Sequence, residues 1–195
     1  MNEGTAEEYA VKSATALIFQ KYGSDEGSYK FVESVTLPID GWTDDPTDGI
    51  TTTSKKVVAK LTYVDTKNTY GVLVLLNNNT TSGVKIGLPT AGQSYNDWNN
   101  KVMSPNLAEL AKTGEFYMAN APLNKAGKVT TLVTIDKDKI YSSKQKAENG
   151  TAADVYVERG VAKMSVAAPG TITVKDKANP TDTTCLLYTS DAADD

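Results

Sequence analysis

Gly71-Val-Leu-Val-Leu-Leu76 is the stretch on which the fold turns. It is apolar at odd and even positions alike, so neither face of a strand built from it can meet water. Its longest aliphatic run, Val72 to Leu76, is far too short to span a membrane, and polar turn residues follow at once in Asn77-Asn-Asn-Thr-Thr-Ser-Gly83. A short run of this kind predicts a central strand. Ala16-Leu-Ile-Phe19 has the same two-sided character and predicts a second one.

Around these two runs the periodicity is two. Tyr29, Phe31, Val35, Leu37 and Ile39 share a parity, broken only by Val32 and Glu33. Val57, Ala59, Leu61 and Tyr63 alternate with Lys56, Lys60 and Thr62, and Val129, Thr131, Val133 and Ile135 with Thr130, Leu132 and Thr134. Each pattern predicts a half-buried strand, and Thr171-Ile-Thr-Val174 a short late one. The one clear helical signal has Ser104 as cap, Pro105 at the first position, Leu107, Leu110 and Ala111 on one face, and Gly114 as stop. Tyr95 to Met103 can add a turn before it. The expectation is an all-β fold, a two-sheet antiparallel sandwich with one short helical insertion.

Composition removes many chemistries. The chain has 195 residues, 20 basic and 24 acidic side chains, no histidine and one cysteine. Without histidine there is no Ser-His-Asp triad, Cys-His dyad or imidazole metal site. With one cysteine there is no intrachain disulfide or cysteine-ligated zinc site. A net charge of −4 without basic blocks argues against nucleic acid as a partner.

The last eleven residues, Cys185 to Asp195, read as the frame translation of a transposon-type sequencing adapter and are set aside from fold reasoning. Without Asp191, Asp194 and Asp195 the acidic count falls from 24 to 21, and the net charge becomes −1. The only cysteine goes with them, and the protein is expected to continue past Thr184. At the other end, Met1 to Glu8 carries no basic or apolar region of a secretory signal. The expected organisation is a flexible lead-in at 1–12, a sandwich at 13–168, a linker or start of a truncated second domain at 169–184, and the adapter-derived tail at 185–195.

Ala153-Asp-Val-Tyr-Val-Glu-Arg-Gly-Val-Ala-Lys-Met-Ser-Val166 holds a change of face. Val155 and Val157 are odd, whereas Ala162, Met164 and Val166 are even, so a bulge or a crossing between sheets is expected near Gly160. Arg159, the only arginine, is expected at the rim.

No constellation reads as a catalytic, cofactor or metal site. Asp136-Lys-Asp138 begins like a calcium loop, but Ile140 and Tyr141 occupy positions that such a loop reserves for a ligand and a glycine. Asp44, Asp45 and Asp48 with Gly49 read as an acidic turn. Asn78-Asn-Thr80, Asn79-Thr-Thr81 and Asn149-Gly-Thr151 match the glycosylation sequon by chance in a chain rich in these residues. Trp42 and Trp98 could stack sugars on an exposed face, or roof one end of the core. A hydrolase using two distant carboxylates is a third, weaker reading.

In the order of its strand motifs the chain resembles fimbrillins, subunits of the type V pili of Gram-negative anaerobes. The residues that carry the resemblance begin with Glu7-Glu8-Tyr9-Ala10-Val11 leading into Ala16 to Phe19, then Tyr70 to Asn77. The capped helix up to Lys112, Phe116-Tyr-Met-Ala-Asn-Ala-Pro122 and Val155-Tyr-Val-Glu-Arg-Gly-Val-Ala-Lys163 follow. The resemblance implies a subunit of two transthyretin-like Greek-key sandwiches, exported as a lipoprotein to the outer membrane and trimmed after an arginine. It implies polymerisation by strand exchange, with other fimbrial subunits as partners and host or bacterial surface ligands beyond them. No enzyme activity and no cofactor follow from it. The chain departs from the pattern in lacking a lipoprotein signal with its cysteine, a removable first strand with its arginine, and a second domain. Val155, Val157 and Val161 are the expected groove residues for an incoming strand. The rival reading is a carbohydrate-binding sandwich of a surface glycan-utilisation system.

Overall fold

Both two-sided apolar runs lie at the centre of a sheet in the computed structural model, which describes residues 10–25, 28–41, 43–44, 53–62, 64–65, 67–80, 83–101, 110–112, 114–120 and 131–160. Strand β1 is Ala14–Lys21, β2 Tyr29–Thr36, β3 Thr43–Asp44, β4 Thr53–Ser54 and β5 Tyr70–Leu76. Then follow β6 Asn79–Thr80, β7 Gly83–Val84, helix α1 Tyr95–Asn99, β8 Met118–Asn120 and β9 Val133–Ile135. A 3-10 turn at Lys137–Lys139, helix α2 at Lys144–Asn149 and strand β10 at Val157–Arg159 complete the order. The fold is mostly strand, and every strand pairing among the described residues is antiparallel.

The main sheet runs β10-β8-β5-β1-β2, with β9 also against β5; β3-β4 and β6-β7 are separate two-stranded ribbons. β1 pairs β5 along its length, from Ala14 opposite Leu76 to Gln20 opposite Tyr70. Their odd residues Leu17, Phe19, Leu73 and Leu75 enter one apolar cluster with Tyr95, Trp98 and Leu110. Their even residues Ala14, Ala16, Ile18, Tyr70, Val72 and Leu76 enter a second on the opposite face. Each large side chain so buried contributes about 1.5–3 kcal/mol. Two-sided burial explains the unbroken apolar sequence.

The shared parity of Tyr29 to Ile39 does not mean a shared face. Between Ile18 and Phe19 the register slips, so that Ile18 faces Glu33 but Phe19 faces Phe31. Val32 is the extra residue of a bulge, and an extra residue turns the rest of a strand over. Tyr29 and Phe31 therefore pack in the first cluster, whereas Val35, Leu37 and Ile39 join the second. The two residues that break the alternation mark the place.

Residues 55–62 form no strand, contrary to their alternation. The Thr62 N–H is taken by the Glu33 carboxylate, at 2.9 and 3.2 Å, rather than by a ladder. Val57, Ala59 and Leu61 still pack on the second cluster, which is what their period encodes. Of the expected strand at Val129–Ile135, β9 is formed among the described residues, with Thr131 and Leu132 in a bend before it. The helix expected from Ser104 lies outside the described residues except at its end, where Leu110 is buried and Gly114 takes a φ of 74°. The single helical insertion is thus an undercount. Ser94 caps α1 through the Asp97 N–H at 3.0 Å, and Ser143 caps α2 through the Lys146 N–H at 3.3 Å. Lys144-Gln-Lys-Ala-Glu-Asn149 has no apolar stripe, so no period announces α2.

Candidate functional site

β10 is an end strand of the main sheet among the described residues. It pairs Val157 with Asn120, Glu158 with Ala119 and Arg159 with Met118, and the Gly160 N–H donates to the Tyr117 carbonyl at 2.9 Å. Val155 and Val157 are half-buried against the second apolar cluster, as their common parity requires. Val161 lies outside the described residues, as do the even-numbered apolar positions after Gly160. Glu158 and Arg159 are exposed, which places the guanidinium at the rim. A Cβ on Gly160 would stand 2.9 Å from the Tyr117 ring, so glycine permits this close approach. Burial, with a smaller contribution from Tyr95, pushes the Tyr117 phenol up to about 12, so it stays neutral beside the edge.

Behind this edge lies a polar device that the sequence does not announce. β8 meets β5 at Leu75 and Leu76, whereas β9 meets the same side of β5 at Tyr70 to Val72. The gap between them would strand backbone groups of a central strand. Asn120 fills it: its side-chain carbonyl accepts from the Val74 N–H at 2.7 Å, and its amide donates to Val72 O at 2.9 Å and Thr131 O at 2.6 Å. One buried side chain thus replaces a missing rung of two strands.

Two more asparagines do related work at the end of β5. Asn77 is fully buried with φ 57°, and its side-chain carbonyl accepts from the Lys12 N–H at 2.7 Å and the Ser13 N–H at 3.4 Å. Its amide donates to Ala10 O at 2.8 Å and Phe116 O at 2.9 Å. Asn78 exchanges both bonds with Ile86, accepting from its N–H at 2.8 Å and donating to its carbonyl at 3.0 Å. A residue engaged on both amide atoms and 2 % exposed is no glycan acceptor. The polar cluster that reads as a turn therefore holds two buried clamps, and only its position directly behind a two-sided apolar strand could have signalled them.

Other sequence candidates are dispersed. Trp98 is 6 % exposed, packs near Phe19 and Tyr95, and donates its indole N–H to Gly87 O at 2.8 Å. It roofs the core and offers no stacking platform for sugar. Trp42, Asp45, Asp48 and Gly49 lie outside the described residues. Asp136 and Asp138 sit at a 3-10 turn, with Asp136 paired to Lys139 at 3.4 Å. No helix among the described residues is long and apolar enough to cross a membrane. No protein-family model, curated protein or solved structure matches the chain.

Proposed function

We propose that the chain is a non-catalytic structural subunit of a bacterial surface fimbria, a fimbrillin-like N-terminal domain that polymerises by strand exchange and supports adhesion. On this reading the antiparallel sheet is half of a transthyretin-like Greek-key sandwich, and the subunit is a lipoprotein attached to the outer membrane. The partners are other fimbrial subunits, joined head to tail, with host or bacterial surface ligands beyond them.

The observation that carries the reading is the β10 edge: among the described residues a three-residue strand ends a sheet that is apolar on both faces, with Val155 and Val157 half-covered. A strand added there would gain main-chain hydrogen bonds along the edge and side-chain register from the apolar cluster. Such a contact is heterologous and does not close on itself, which is the geometry of a filament. The ordered motifs described above support the same conclusion.

The test is expression of the whole gene product with its flanking sequence. The reading requires a lipoprotein signal upstream, a second sandwich downstream, and fibres of the purified protein under the electron microscope. A gene encoding neither flanking element overturns it.

A further inference from the structure

Asn149-Gly150 is the single Asn-Gly pair in the chain, and it sits at the carboxyl end of α2. Glycine at 150 is dictated by packing, since a Cβ there would collide with the Tyr141 ring. Asn149 is exposed, and its amide has no hydrogen-bond partner among the described residues. Tyr141, Gln145, Lys146, Asn149 and Gly150 line one open depression, so water reaches the pair. An amide electrophile, a backbone nitrogen one residue on, and no side chain on that residue to hinder attack are the elements of succinimide chemistry.

One contact holds the pair back. The Lys56 ammonium donates to Glu148 O at 2.8 Å and Gly150 O at 2.5 Å, gripping the backbone on both sides of Asn149 from 92 and 94 residues away. A cation there also suits the negative end of the helix. A six-residue helix frays at its ends unless tied, and this tie spans the pair.

We propose that Asn149-Gly150 is a self-modification site, converted by succinimide formation at a rate set by the Lys56 clamp. The Gly150 backbone nitrogen, losing its proton, attacks the Asn149 side-chain carbonyl carbon; the new C–N bond forms as the C–NH2 bond breaks, and ammonia departs with the proton. Water then opens the ring on either side, leaving aspartate or isoaspartate at position 149. The product puts a negative charge at the carboxyl end of α2, where the helix dipole opposes it. Isoaspartate also lengthens the backbone between the two carbonyls that Lys56 grips. The clamp between α2 and residues 53–62 is the element that the modification weakens.

The experiment is timed incubation of the full chain at neutral and mildly alkaline pH, followed by peptide mapping that separates asparagine, aspartate and isoaspartate. The expected result is conversion at position 149 that rises in proportion to hydroxide, with Asn77, Asn78 and Asn120 unchanged. Lys56→Met, at an exposed position, should accelerate it several-fold, and Asn149→Gln should abolish it. Unfolding the chain in urea should bring the wild type to the rate of the Lys56 variant. No conversion in the folded chain while the urea-unfolded chain converts overturns the proposal. Equal rates in the wild type and Lys56→Met overturn it as well.

Discussion

Asn120→Ala tests the sheet at its most exacting point. The substitution removes three hydrogen bonds and leaves Val74 N–H and Val72 O, both on the central strand, facing a cavity. A buried backbone group without a partner costs about 1–3 kcal/mol, so two of them together cost about 3 kcal/mol once water partly replaces the amide. Thr131 O belongs to an exposed residue and adds little. For a domain of this size that loss lowers the melting temperature by roughly 6–12 °C. Urea unfolding followed by circular dichroism should show the loss as a shift in midpoint with an unchanged slope. Asn120→Asp adds a signature that simple cavity formation lacks. Its carboxylate would face the two carbonyls that the amide now serves, and this raises its folded-state pKa above the ordinary value of about 3.9. The protonated form can still donate, so the variant is most stable below that value and loses stability as pH rises through the raised one. A loss below about 1 kcal/mol for Asn120→Ala would refute the role assigned to this side chain.

Four further outcomes follow from the same structure. Asn77→Ala should cost about 2–4 kcal/mol, because it frees the Lys12 N–H and the Ala10 and Phe116 carbonyls, and amide exchange at Lys12 and Ser13 should quicken with it. Trp98→Ala should lose about 3–5 kcal/mol in urea unfolding and change no affinity for oligosaccharides in a binding assay. Gly71→Ala should destabilise the fold, since its methyl would stand 3.0 Å from Tyr29 Cε1 within the core, and thermal melts should show it. Tyr117 should titrate at about 12 in ultraviolet absorbance, above the ordinary tyrosine value of about 10. With its folded pKa raised, its contribution to stability is complete below the unfolded value and is lost as pH rises through about 12, a step that Tyr117→Phe should remove.

The centre of the fold was legible because two-sided burial leaves an unmistakable mark: Ala16 to Phe19 and Val72 to Leu76 can only be interior strands. Parity was less informative where the backbone departs from regularity. One extra residue at Val32 sends Phe31 and Val35 to opposite faces, although their numbers share a parity. At Val57 to Leu61 the period reported side-chain burial correctly but not hydrogen bonding, because Glu33 supplies the partner that a neighbouring strand would have supplied. The common apolar face of Val155 and Val157 followed from alternation, whereas the place of β10 at the end of the sheet did not. The gap that Asn120 bridges could not be read, since it arises only when β8 and β9, more than ten residues apart, dock against one side of β5. Asn77 and Asn78 look like turn residues in sequence because the same amide that ends a strand can also clamp three segments.

Strand addition at β10 is the claim on which the function rests, and hydrogen exchange measures it most directly. The whole gene product should be compared as isolated subunit and as assembled fibre, following the amides of Val157 to Gly160. The account predicts strong new protection at this edge in the fibre, with the interior amides of β1 and β5 protected in both states. Fibres that leave the β10 amides exchanging as fast as in the isolated subunit would contradict it.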